Sequence, residues 1–122
     1  MTRRRQQVGR AGEAAARSYL QNRGYRLVEN NFRCLYGEID IIAFHGSTLV
    51  FVEVRTRTGS SFGTPAESIT AEKLNRLKKT ALFFMQSRYG VEVSCRFDLI
   101  AVQMEQQNMA VRNIRHYRGI VG

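Results

Sequence analysis

Two apolar segments separated by three turn residues constrain this chain more than any other feature of it. Gly37-Glu38-Ile39-Asp40-Ile41-Ile42-Ala43-Phe44 and Thr48-Leu49-Val50-Phe51-Val52-Glu53-Val54-Arg55-Thr56-Arg57 flank His45-Gly46-Ser47. β-Branched and aromatic residues in short runs around a glycine-bearing turn predict a β-hairpin. Side chains alternate across a strand, so Glu38 and Asp40 are expected on one face with Ile39 and Ile41 on the other. By the same rule Glu53, Arg55 and Arg57 share a face opposite Val52, Val54 and Thr56. Asp40 and Glu53 stand at comparable distances from the turn, so pairing the strands brings their carboxylates together.

Converging carboxylates suit a hard cation. Mg²⁺ takes oxygen ligands at about 2.0–2.1 Å, commonly one or two carboxylates completed by water and substrate phosphate oxygens. The backbone carbonyl of Val54 is a further candidate ligand. The competing reading is structural, with Asp40 or Glu38 paired against Arg55 or Arg57 across a solvated sheet, each pair contributing roughly a few tenths of a kcal/mol. The apolar company of these carboxylates favours the first reading, since charge among hydrophobic side chains carries a desolvation cost.

The remainder of the 122 residues supplies one domain around this hairpin. Residues 1–8, with arginine at positions 3, 4 and 5, are expected to form a flexible basic arm, leaving 9–122 as a single domain. Gly9 to Asn22 is alanine-rich and is followed by Gly24, which predicts a first helix. Thr58 to Ala66 holds Gly59, Gly63 and the only proline, Pro65, and is expected to be a mobile surface loop. Thr70 is a candidate N-cap for a second helix reaching about Tyr89, with Leu74, Leu77, Ala81, Phe84 and Met85 facing the core. Cys95–Val102 and Val111–Tyr117 have strand character, with Glu105-Gln106-Gln107-Asn108 as the turn between them.

Nineteen lysines and arginines against ten aspartates and glutamates leave a net charge of +9, and only Lys73, Lys78 and Lys79 are lysines. Arginine's planar fork matches phosphate oxygens, so this surplus points to a polyanion, with nucleic acid ahead of an anionic membrane surface. Cys34 and Cys95 form no CxxC pair and are expected to be reduced thiols. No apolar signal region or membrane span is evident, so a cytoplasmic protein is expected, without a membrane partner.

Taken together, Gly12-Glu13 in the alanine-rich segment, the Gly37–Ala43 and Phe51–Arg57 segments, Phe62-Gly63-x-Pro65 and Arg96-Phe97-Asp98-Leu99-Ile100 resemble the YraN-like family of bacterial proteins. That family is placed in the PD-(D/E)XK nuclease superfamily with archaeal Holliday junction resolvases. The resemblance covers nearly the whole chain. It implies a restriction-endonuclease-like α/β (α+β) fold, a central mixed β-sheet containing the hairpin and flanked by helices. It further implies Mg²⁺ or Mn²⁺ held by Asp40 and Glu53, with Glu13 completing the acidic cluster. Glu13 also suits the first turn of a helix, where the dipole favours any carboxylate, and Glu38 is equally two-sided.

Arg55 stands where the superfamily's motif usually has lysine. A guanidinium can stabilise developing charge on phosphorus, but it cannot accept a proton from water at neutral pH. Lys73 is a second candidate for that role, against the plainer reading of a solvated helix lysine. The implied activity is metal-dependent phosphodiester hydrolysis on nucleic acid, DNA ahead of RNA and branched DNA among the substrates. The alternatives are a nucleic-acid-binding module with weak or no catalysis, and a basic domain that meets an acidic protein. Arg10, Arg17, Arg57, Lys73 and the N-terminal arginines are the candidate phosphate contacts. Asp98 is expected to pair with Arg96 or with an arginine from a neighbouring element, and His45 to be a solvated turn residue. The resolvase likeness implies a homodimer.

Overall fold

The computed structural model describes residues 3–59 and 69–120. In chain order the elements are α1 (Arg3–Asn22), β1 (Arg26–Cys34), β2 (Gly37–His45), β3 (Thr48–Thr58), α2 (Ala71–Tyr89), β4 (Cys95–Met104) and β5 (Val111–Tyr117). The five strands form one sheet in the order β1-β2-β3-β4-β5. β3 and β4 run parallel and every other neighbouring pair is antiparallel. The parallel pair needs a crossover, and α2 is carried on it. The fold is therefore α+β, one small domain with a mixed sheet, as expected.

The helices cover opposite faces of the sheet. Ala16 and Leu20 of α1 pack with Ile41, Ala43, Val50, Val52, Ile100 and Val102, while Leu77, Ala81, Phe84 and Met85 of α2 pack with Ile39, Ile42, Leu49 and Phe51. Strands covered on both sides read as continuous apolar runs, which is why Leu49 to Val52 are all buried. Thr70 caps α2 as expected, its hydroxyl accepting from the Lys73 amide at 3.1 Å. Gly90 ends the helix in the left-handed conformation.

Two expectations are corrected. α1 begins at Arg3 and not at Gly9, so most of the residues expected to form a flexible arm make the first turns of the helix. Arginine and glutamine are good helix formers, and the dense alanines that follow sustain the helix they begin. Within β2, Ile39 joins the α2-side cluster and Ile41 the α1-side cluster, whereas strict alternation would have placed them together. The backbone turns over at Asp40. The facing strand turns with it, since Asn31, which the register sets opposite Asp40, has φ of 54°.

Most of the loop expected at 58–66 lies outside the described residues; its first residue, Thr58, is still in β3. No helix among the described residues is long and apolar enough to cross a membrane.

Candidate metal and nucleic-acid site

The β2–β3 ladder stops at the pair Ile41–Val52. One further step of that register sets Asp40 opposite Glu53, so the expected pairing falls where the strands part. There a side chain takes over from the backbone, and the Val54 N–H donates to Asp40 Oδ2 at 2.8 Å. Val54 is thus tied to Asp40 through its amide, where sequence had suggested only its carbonyl.

Glu53 is 9% exposed, and α2 reaches down to it. Lys73, one turn inside the Thr70 cap, places Nζ 2.7 Å from Glu53 Oε2. The solvated-lysine reading of Lys73 is overturned by this contact. Arg55, two residues along β3 on the same face, brings Nε to 3.2 Å of the same oxygen. That nitrogen is buried and is not aligned for a hydrogen bond there. Asp40, Glu53 and Lys73 line a pocket of about 250 Å³ together with Arg76 and Tyr36.

Electrostatics mark Asp40 as the strained member. Burial, then the negative charge of Glu53, pushes its pKa from an ordinary 3.8 up to about 7, and the Val54 amide only partly offsets them. Glu13 and Glu38 add further repulsion. Glu13 is raised as well, by burial and by Glu38 and Glu53, against the lowering influence of Arg17 and Arg33. Because α1 begins at Arg3, Glu13 lies in the middle of the helix, and the first-turn dipole no longer accounts for it. Gly12 is the reason it lies so near β3: a β-carbon there would come within 2.7 Å of Thr56 Cγ2, so α1 approaches the strand more closely than a side chain would permit.

Of the ion pairs set against a metal site, Glu38 takes Arg33 at 3.3 Å and Arg55 takes Glu53 on its own strand. Among the described residues no three His, Cys, Asp or Glu side chains gather at metal-holding spacing. What remains is a pair of carboxylates with oxygens to spare: the Val54 amide occupies one oxygen of Asp40, and Lys73 and Arg55 share one of Glu53. A hard oxygen donor set of this size fits Mg²⁺, which usually keeps several waters.

A second groove, of about 610 Å³, runs between α1 and β3 and is lined by Arg4, Arg57, Thr56 and Glu13. Arg57 and two of the N-terminal arginines, Arg4 and Arg5, therefore converge, whereas Arg10 is exposed on α1 and Arg17 is half-buried near Glu13. Among the neighbours of the site that were not foreseen are Arg76, Tyr36 and Asn31. Arg76 follows Lys73 by one helical turn, a spacing that could have found it. Asn31 donates from Nδ2 to Glu13 Oε1 at 3.3 Å; an asparagine inside a strand was its only signal.

On the α1 side of the sheet lies another polar cluster. Asp98, fully buried, accepts from His116 Nε2 at 2.7 Å, from Arg96 Nε at 3.1 Å and from the Gly119 amide at 3.1 Å. The arginine expected for Asp98 is therefore Arg96. His45 is not a solvated turn residue: it ends β2 and stacks on Tyr25 with ring centroids 4.2 Å apart.

A family model described as Uncharacterised protein family UPF0102 matches residues 12–102. The chain belongs to this family. UPF0102 is the YraN family expected from the motifs, and the matched span runs from Gly12 beside Glu13 through Asp40, Glu53, Lys73 and Asp98. The UPF0102 protein of Moorella thermoacetica is 50% identical over 107 residues, 88% of each chain. That of Herminiimonas arsenicoxydans is 49% identical over 104 residues, 85% of this chain and 83% of its own. The UPF0102 protein of Desulforamulus reducens is 41% identical over 120 residues, 97% of this chain and 98% of its own.

Proposed function

We propose that this UPF0102 chain is a divalent-metal-dependent phosphodiesterase acting on nucleic acid, with DNA as the substrate and branched DNA among its forms. The observation that carries the reading is Asp40, half-buried beside the buried Glu53 with its pKa near neutrality, at a pocket whose other wall presents Lys73 and Arg76. Two carboxylates held together against their own repulsion are stabilised by a cation, and perturbed acids in a cleft are a mark of function.

Asp40 and Glu53 would hold Mg²⁺ or Mn²⁺, with the Val54 carbonyl as a further oxygen donor and Glu13 adding negative charge nearby. Bound there, the ion supplies Lewis acidity toward a phosphate oxygen and lowers the pKa of a coordinated water. Lys73 and Arg55 contribute positive charge where negative charge develops on phosphorus. The ammonium that the superfamily's motif would place at Arg55 reaches Glu53 from α2 instead. Arg4 and Arg57 in the α1 groove bind backbone phosphates, with Arg10 and Arg17 farther along the helix. Such contacts position nucleic acid without reading its sequence.

Labelled linear and branched DNA incubated with the purified chain in Mg²⁺ or Mn²⁺ tests this reading. Cleavage is expected, and Asp40→Asn and Glu53→Gln are each expected to reduce it by roughly 100-fold or more. Equal activity in the two variants would exclude the site.

A second reading, a nucleic-acid-binding module with little catalysis, is favoured by one observation: Glu53 already has two cationic partners. It requires salt-sensitive binding that needs no metal and survives removal of both carboxylates.

A further inference from the structure

Leu35 and Tyr36 connect β1 to β2 and are 81% and 41% exposed. Hairpin turns are ordinarily built from glycine, asparagine and other polar residues; here two large apolar side chains stand at the tip. Leu82 and Phe83, exposed on α2, extend the patch. The rings of Tyr36 and Phe83 meet edge-on with centroids 6.1 Å apart. They line a shallow groove of about 590 Å³ with Lys79. Tyr36 also lines the pocket that contains Asp40, Glu53 and Lys73, so the apolar tip and the carboxylates share a wall.

We propose that this tip receives an unpaired base of the strand whose phosphodiester enters the carboxylate pocket, an inference that rests on the nucleic-acid reading above. Every base has a π-face, and stacking on an exposed aromatic ring is largely independent of sequence. The base lies on the outer face of Tyr36. A slot between two rings would need about 7 Å, twice the stacking distance, and Tyr36 and Phe83 are inclined at 64° and closer than that. Lys79 on the rim, and Arg76 in the adjoining pocket, neutralise the flanking phosphates. An apolar wedge beside the site favours strands whose bases are already unstacked, as at flaps, junctions and single-stranded ends, because a duplex must first lose stacking to reach it.

A second copy of the chain fits this face less well. A net charge of +9 with lysine at the rim sets like against like across a symmetric contact. Four apolar side chains also fall well short of the about 20–30 residues a side in a stable interface.

The test uses the full chain in EDTA, so that no strand is cut. A flap DNA carries 2-aminopurine at its unpaired position, and its affinity is compared with that of the fully paired duplex. The wild-type chain is expected to bind the flap about ten-fold more tightly and to quench the probe. Tyr36→Ala is expected to abolish the quenching and bring the two affinities within about two-fold of each other, Leu35→Ser to weaken flap binding, and Tyr36→Phe to retain both signals. Equal affinities in the wild-type chain, or quenching that survives Tyr36→Ala, overturns the proposal. Light scattering that shows a dimer split by Tyr36→Ala overturns it in favour of a second copy. Probe quenching without any cleavage in Mg²⁺ supports base stacking and counts against the metal reading alone.

Discussion

At the scale of single residues, Asp40 is held at a cost to the fold that a cation would relieve. Its folded pKa of about 7 exceeds the ordinary 3.8, so between these values the folded chain keeps a proton that the unfolded chain has lost. Stability from this group therefore falls as pH rises through that window, and the penalty is complete above about pH 7. Asp40→Asn retains an acceptor for the Val54 amide and removes the charge. It is expected to stabilise the metal-free protein by roughly 1–2 kcal/mol at pH 8, after discounting for solvent screening, and by little at pH 5. Thermal melts at the two pH values check this, and a loss of stability at pH 8 would contradict it. The same residue illustrates what sequence makes legible: its strand, its partner Glu53 and their register follow from the apolar pattern and the turn. The reversal of the backbone at Asp40 does not, because it depends on Asn31 in the facing strand.

At the scale of elements, α1 decides whether Glu13 belongs to the site. Its alanines and Gly12 let it settle against β3, with Thr56 where a side chain at position 12 would have to go. Gly12→Ala is expected to destabilise the domain by about 1–3 kcal/mol despite alanine's better helix propensity, because overpacking exceeds the gain in backbone entropy. It should also move Glu13 away from Asp40 and weaken Mg²⁺ binding. Urea denaturation and calorimetric titration measure the two effects, and a more stable Gly12→Ala protein would refute the close approach. For α2, the N-cap and apolar periodicity were both readable. The ion pair of Lys73 with Glu53 was not, since it joins a helix to a strand that only the β3-α2-β4 crossover brings beneath it.

At the scale of the whole molecule, the sheet separates two polar centres of opposite character. Around Asp40 the charges are poorly balanced and open to a pocket. Around Asp98 they are satisfied: burial alone would raise its pKa, but hydrogen bonds from His116, Arg96 and the Gly119 amide outweigh it and hold the carboxyl below its ordinary value. A depressed carboxylate stabilises the fold above the unfolded pKa and loses that contribution as pH falls. Asp98→Ala would strand Arg96 and His116 and is expected to cost about 3–5 kcal/mol at neutral pH. The loss should shrink in acid, and urea denaturation as a function of pH measures it. The sequence by itself determined the hairpin, the two helices, the nearness of Asp40 to Glu53 and the basic charge, because periodicity and turn chemistry act between near neighbours in the chain. Only the tertiary structure decided that Lys73 meets Glu53, that Glu13 sits in mid-helix beside β3, that His116 meets Asp98, and that Tyr36 joins the apolar tip to the carboxylate pocket. Each of these joins residues from separate elements, and their distances are set by how the helices pack on the sheet.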